Sequence, residues 1–461
     1  MIRPCLPEVT GAAGDLYAAI KALPIVSPHG HCDPAWWAQD APFPDPAALL
    51  LTPDHYLLRM LYSQGVPMED MGVGKPIEGR DSRAIFRIFA QHWDAFLGTP
   101  TRMWMEHTLY EVIGVDTPLA PDSSNLVHDQ IASWIADPEN HPRALFDRFG
   151  IEALATTDPA LADLAQHVRI AASGWTGRII PTFRPDDLIN PARPGQAQAT
   201  QRLAEMTGTD VTTFGGFLDA IRLRRSVFRD RGATATDHDV PHLMTAWLPR
   251  SEIEALHTKA LKGALRSDEA ALYHGHMLTE MAQMAAEDGM VMQIHAGSTR
   301  STNRALADRF GADMGSDIPR AMNWVDGLDA LLNRVGNVPR FRLIVFTLDE
   351  ASYARELAPM AGHWPALRLG PPWWFHDSLN GIRRYFDAVV ETAGYRNLAG
   401  FNDDTRAFLS IPARHDLWRR GVALHLGDQI ARGVLRQAEA ECLAPLLAVD
   451  LARDAYRLNE G

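Results

Sequence analysis

The sequence predicts an α/β chain folded as one (β/α)8 barrel, and three observations carry that expectation. Short apolar runs alternate with longer helical patterns, the signature of successive βα units on a parallel sheet. Eight such runs stand at 25–31, 151–157, 178–184, 233–237, 290–297, 342–347, 367–370 and 398–401. Several end in histidine, aspartate or arginine, and a barrel brings the C-terminal ends of distant strands onto one face. With 461 residues, 46% of them hydrophobic, the chain can bury one large core with insertions.

Taken in order, the first run is Ile25-Val26-Ser27-Pro28-His29-Gly30-His31. Strand side chains alternate faces, so His29 and His31 are expected on one side, where they could converge on a metal ion; two hydrogen-bonded polar side chains would fit the pattern as well. Residues 32–150 separate the first two runs, too many for one connection. Residues 35–150 therefore read as a mostly helical insertion, with 1–34 and 151–461 forming the barrel. Within it, Thr52-Pro53-Asp54-His55 reads as an N-cap followed by proline at the first helical position, and 81–96 and 101–113 look helical. His55-Tyr56 begins an amphipathic helix, where an aromatic side chain is more often core. The third run ends in Arg184, the fourth in Asp237-His238, the fifth in His295 with Arg300 nearby, and the eighth leads to Asp404 and Arg406. The tail 417–458 is helical, with apolar spacing continuing through 430–435, and is expected to close the barrel.

Imidazole and carboxylate together suit Zn²⁺, Mn²⁺ or Fe²⁺. His295 alone would more often be a hydrogen-bonded core residue, whereas Asp404 and Arg406 share a face at period-two spacing. Each of Arg184, Arg300 and Arg406 could simply pair with a neighbouring acid. Three guanidinium forks meeting at one barrel mouth would instead recognise a carboxylate, making the substrate an organic acid. The fourth and sixth runs offer neither a bridging lysine nor an extra histidine, so one metal is expected rather than two.

The chain has no GxGxxG after a strand, no Walker loop and no CxxC pair, and no organic cofactor is expected. A net charge of −13 without a Lys/Arg run disfavours nucleic acid and anionic membranes. No 18-residue apolar stretch occurs, and the first 25 residues carry Glu8 and Asp15, so neither a membrane span nor a signal peptide is expected. Cys5, Cys32 and Cys442 are too few and scattered for a disulfide framework, which points to a reducing, cytoplasmic compartment.

Six blocks, in order, resemble those of the uronate isomerases, an outlying branch of the amidohydrolase superfamily. They are Asp54-His55-Tyr56-Leu57-Leu58-Arg59 with Ser63-Gln64-Gly65-Val66, Ile180-Pro181-Thr182-Phe183-Arg184-Pro185-Asp186, Thr236-Asp237-His238, Gln293-Ile294-His295-Ala296-Gly297 with Arg300, Trp373-Trp374-Phe375, and Asp404-Thr405-Arg406 with Phe408-Leu409-Ser410. Ser27-Pro28-His29-Gly30-His31-Cys32 departs from the usual first metal motif but keeps both histidines. The resemblance implies a distorted TIM barrel of the amidohydrolase type. It also implies aldose–ketose isomerisation of D-glucuronate to D-fructuronate and D-galacturonate to D-tagaturonate through a cis-enediol, by a homo-oligomeric enzyme of hexuronate catabolism. By the same resemblance His29, His31 and Asp404 hold one divalent metal, most simply Zn²⁺, with His295 a weaker ligand. Tyr56 and Asp404 handle protons, Arg406 polarises substrate oxygens, and His55, Arg184, Asp237, Arg300 and Trp373 bind substrate. The alternative reading is a metal-dependent hydrolase of a sugar-acid amide or lactone.

Overall fold

A computed structural model describes residues 6–373 and 376–459, so Cys5, Trp374 and Phe375 lie outside the described residues. Seven parallel strands form one curled sheet in chain order: β1 (Ile25–Ser27), β2 (Ile151–Pro159), β3 (Ile179–Arg184), β4 (Ala235–Val240), β5 (Val291–Ala296), β8 (Leu343–Thr347) and β9 (Leu367–Leu369). A separate antiparallel pair, β6 (Ser298–Thr299) and β7 (Ile318–Pro319), rises from the loop after β5. The sheet strands read as near-continuous apolar runs because both faces are covered, by barrel interior and by surrounding helices.

Three sequence expectations need correction here. The eighth run makes a single parallel bridge, Leu398 to Leu369, instead of a strand. Gly400 takes φ +75° there, and a Cβ on it would sit 2.5 Å from Ala452 N, so the chain is bent against the C-terminal helices and cannot continue a ladder. Thr52 does not cap the next helix: its hydroxyl donates to Met71 O at 2.9 Å. The helix runs His55–Ser63, capped by Asp54, whose carboxylate accepts from Tyr56 N–H at 2.8 Å. Finally, the helix Ile411–Ala431 stops before Gly433 (φ +73°), leaving Val434 exposed.

The helices between β1 and β2 have a core of their own, built on Trp37, Phe86, Phe89, Trp93, Phe96 and Phe146, which meets the sheet at Ile25, Ile151, Leu154 and Ile179. At the opposite pole the tail seals the barrel floor. Tyr456 OH donates to Gln293 Oε1 (2.9 Å), and Arg178, Arg342 and Arg457 donate to Leu458 O, Asp454 O and Gly289 O. These bonds gather at the N-terminal ends of strands. The C-terminal ends are left to form the mouth.

Candidate active site

A cavity of about 380 Å³ opens at that mouth and brings together His29, His31, His55, Tyr56, Arg184, Asp237, His295, Arg300, Trp373, Asp404 and Arg406. β1 ends at Ser27, so His29 and His31 stand on the following turn and strand pleating does not aim them. The turn is fixed from both sides, by Thr157 Oγ1 donating to Gly30 O (2.9 Å) and His31 N–H donating to Thr405 O (3.0 Å). Their Nε2 atoms then lie 3.4 Å (His29) and 3.0 Å (His31) from the same atom, Asp404 Oδ1. Asp404 takes φ +42°, a left-handed conformation rare outside glycine and characteristic of strained functional positions.

His295, one residue from the end of β5, donates from Nδ1 to Asp237 Oδ1 at 2.7 Å, which fixes the tautomer and turns Nε2 the other way. Its ring packs against both His29 (4.6 Å) and Phe346 (4.4 Å), the latter its register partner on β8. One donor atom each from His29, His295 and Asp404 lies within 4.8 Å of the other two, the one such trio among the described residues. His31 reaches Asp404 but is outside the trio. His29 Nδ1 and His295 Nε2 are buried without hydrogen-bond partners. Two imidazole Nε2 atoms facing one carboxylate oxygen, with the His295 ring, its Nε2 unpartnered, beside them, fit a divalent cation of the Zn²⁺ or Mn²⁺ kind. Burial opposes the carboxylate form of Asp237 and Asp404, yet His295 with Arg184, and His29 with His31, hold both well below the usual range. Burial likewise opposes charge on His29, but Asp237 and Asp404 outweigh it and raise its pKa.

The three expected arginines all reach the cavity, and each already holds an acid. Arg184 donates from Nε to Asp186 Oδ2 (2.8 Å) and lies 3.3 Å from Asp237 Oδ2. Arg300 donates to Asp317 (2.8 Å) and Asp239 (3.1 Å), and Arg406 to Asp313 (2.6 Å). The sequence reading missed Arg193, Asp239, Asp313 and Asp317, which also line the cavity. Asp239 was the findable one, since it shares the β4 face of Asp237 at period two, but the expected strand stopped two residues short. Asp313 and Asp317 lie in Gly311-Ala312-Asp313-Met314-Gly315-Ser316-Asp317, which reads only as loop.

Tyr56 and His55 stack at 5.3 Å, and Trp373 stands edge-on to His295 at 5.0 Å. Burial, with Arg406 nearby, pushes His55 down to about 3, so it is neutral. A tyrosine serving as a ready base would need a lowered pKa. Here burial, and then Asp377, push the Tyr56 phenol well above its ordinary value. Its hydroxyl donates to Asp377 Oδ2 at 2.9 Å.

A distorted parallel barrel with a His/Asp donor set at its C-terminal mouth defines the amidohydrolase-type class. The glucuronate isomerase family model matches residues 8–448. A uronate isomerase of Rhizorhabdus wittichii is 52% identical over 455 residues, covering 99% of this chain and 97% of its own. Among solved structures, a glucuronate isomerase from Caulobacter crescentus superposes with TM-score 0.95 at 48% identity, covering 97% of this chain and 94% of its own. A uronate isomerase from Thermotoga maritima does so with TM-score 0.90 at 26% identity, covering 96% and 97%. The chain belongs to the glucuronate isomerase family. The hydrolase alternative is not favoured.

Proposed function

We propose that this chain is a uronate isomerase, interconverting D-glucuronate with D-fructuronate and D-galacturonate with D-tagaturonate. The observation that carries the reading is a single cavity holding a metal-donor trio, four guanidinium groups and a phenol. Residues 1–34 and 151–461 serve as the catalytic barrel, and 35–150 as the insertion that delivers His55 and Tyr56.

His29, His295 and Asp404 would hold one divalent metal, Zn²⁺ or Mn²⁺, with His31 beside Asp404; when bound, such an ion supplies Lewis acidity to neighbouring oxygens. The arginines bind the substrate carboxylate and orient the sugar chain. Isomerisation moves a proton between C2 and C1 through a cis-enediol, which requires proton-handling groups but no activated water. Asp404, held ionised, and Tyr56, on the cavity wall, are the groups for that task. His55, kept neutral, and Asp237, through His295, hold neighbours in place. Cys32 is buried and Cys442 exposed, and the scarcity of cysteine supports a reducing, cytoplasmic setting.

The test is to incubate the purified protein with D-glucuronate in deuterated buffer and follow the C1 and C2 proton signals by NMR. Replacement of the aldose C1 and C2 signals by those of the ketose is expected. Hydrolysis of a sugar-acid lactone or amide, with no isomerisation, would overturn the reading.

A further inference from the structure

Asp377 lies outside the cavity lining, behind Tyr56, in the loop after β9. Its Oδ2 accepts two hydrogen bonds, from Tyr56 OH at 2.9 Å and from Arg414 Nη1 at 2.6 Å. Arg414 comes from the helix Ile411–Ala431, and Tyr56 from the helix His55–Ser63 of the insertion, so one carboxylate oxygen ties three distant parts of the chain. Arg414 is itself held by Ser410 Oγ (3.0 Å), and its guanidinium lies 3.7 Å from the Trp104 ring centroid. Trp104 stands edge-on to Tyr56 at 5.5 Å. Tyr56, Trp104, Leu348 and Ala413, with Trp373 against them, form a small apolar box around the phenol.

A phenol has one proton, and this one is given to Asp377. What Tyr56 turns to the cavity is therefore oxygen lone pairs. The phenol pKa is pushed far up, so no standing phenolate exists, whereas burial pushes the Asp377 carboxyl up to about 6, against the pull of Arg414. A group titrating there accepts and returns a proton at neutral pH with little cost.

We propose that Asp377 is a positioning residue that stores the Tyr56 hydroxyl proton while the phenolic oxygen carries the substrate proton; this rests on the reading of Tyr56 as a proton-handling group. In the first step the C2–H bond breaks and its electron pair forms the C1=C2 bond, while the carbonyl π pair moves to O1. The proton from C2 goes to the Tyr56 oxygen and the old hydroxyl proton to Asp377 Oδ2, leaving Asp377 neutral and the substrate an enediolate. The hydroxyl proton of O2 passes to O1. Then the O2 pair forms the C2 carbonyl, C1 takes the proton from Tyr56, and Asp377 returns its proton to the phenol. No proton or electron is gained or lost overall.

Asparagine at 377 can still accept from Tyr56 and Arg414 but cannot take a proton, which makes Asp377→Asn the decisive variant. Steady-state kinetics on D-glucuronate are measured for Asp377→Asn, Asp377→Glu, Tyr56→Phe and the double variant Tyr56→Phe/Asp377→Asn, with thermal melts as a check on folding. Asp377→Asn should lower kcat by about 10²-fold or more with KM within about threefold, and glutamate should restore part of the loss. The double variant should match Tyr56→Phe to within about twofold, since the two residues act as one unit. If Asp377→Asn keeps kcat within about twofold of wild type, or the losses multiply in the double variant, this proposal falls and the reading of Tyr56 is untouched. If Tyr56→Phe itself is fully active, the assignment of Tyr56 falls and this one with it. Should Asp377→Asn fail to fold because Arg414 has lost its counter-charge, the neutral pair Asp377→Asn/Arg414→Gln carries the same expectation.

Discussion

Arg184 and Arg406 share a cavity but differ in what their removal exposes, and that difference separates substrate binding from stability. Arg184→Met strips the cation from Asp186 and Asp237, two carboxylates whose side chains are each 2% exposed. Removing one partner of a buried ion pair costs about 3–5 kcal/mol where the remaining charge is left wholly unpaired, and part of that here, since His295 still donates to Asp237 and Arg193 lies 3.6 Å from Asp186. Arg406→Met releases only Asp313, 40% exposed, and a pair that open contributes about 0–1 kcal/mol. Each arginine, as a charge-assisted donor to substrate, is worth about 1.5–3 kcal/mol, or roughly 10- to 150-fold in kcat/KM. Calorimetry and steady-state kinetics on D-glucuronate should therefore diverge. Arg184→Met should lose several degrees of Tm as well as activity, whereas Arg406→Met should lose activity with Tm shifted by no more than about 2 °C. Equal Tm losses would refute the burial argument, and near-wild-type kcat/KM in Arg406→Met would make that side chain a wall rather than a substrate ligand.

The carboxylate behind His295 should govern metal retention: Asp237→Asn is expected to weaken it by about 10–100-fold, read as metal content after dialysis against a chelator, and unchanged content would sink the idea. Burial raises Asp158 to about 6, so the native state takes up a proton more readily than the unfolded chain between its ordinary pKa of 3.8 and about 6, and wild-type stability falls as pH rises through that window. The apparent Tm of Asp158→Asn should accordingly gain on wild type from about pH 4 to 6 and hold that gain above; a pH-independent difference would refute it. A Cβ at Gly315 (φ +78°) would stand 2.4 Å from Arg59 Cβ and 2.7 Å from His55 O, so Gly315→Ala should push the 312–317 segment off the His55–Ser63 helix. Its kcat/KM on D-glucuronate should fall about tenfold or more with a small change in Tm, and unchanged kinetics would show that the segment does not shape the site.

Period and position made the barrel legible. Seven of the eight expected runs are sheet strands, because a strand buried on both faces leaves an uninterrupted apolar trace that turns bracket. The eighth failed at Gly400, where packing on Ala452, a contact fifty-two residues away, decides the backbone. His29 and His31 were placed in the site for an imperfect reason: the bonds of Gly30 and His31 to Thr157 and Thr405 converge them, and those partners carry no local signal. Asp377 stands two residues beyond Trp373-Trp374-Phe375, yet nothing local marks it. Its meaning comes from Tyr56 and Arg414, which only the fold brings to it.

What no reading of single residues reveals is that every arginine of the cavity is already engaged. Arg184, Arg193, Arg300 and Arg406 are matched by Asp237, Asp239, Asp313 and Asp317 on the same lining, while Asp404 faces His29 and His31. Asp237 faces both Arg184 and His295, so the donor trio and the arginine clamp are electrostatically coupled. A substrate carboxylate entering this site must share or displace one of those aspartates. Arg184 and Arg300 hold carboxylates at most 14% exposed, and freeing such a group is costly. Arg406 holds one that water already reaches. Of these three arginines, then, Arg406 exchanges its partner at least cost, and Asp313, on the segment that Gly315 docks against the Tyr56 helix, is the group a substrate carboxylate bound there would replace.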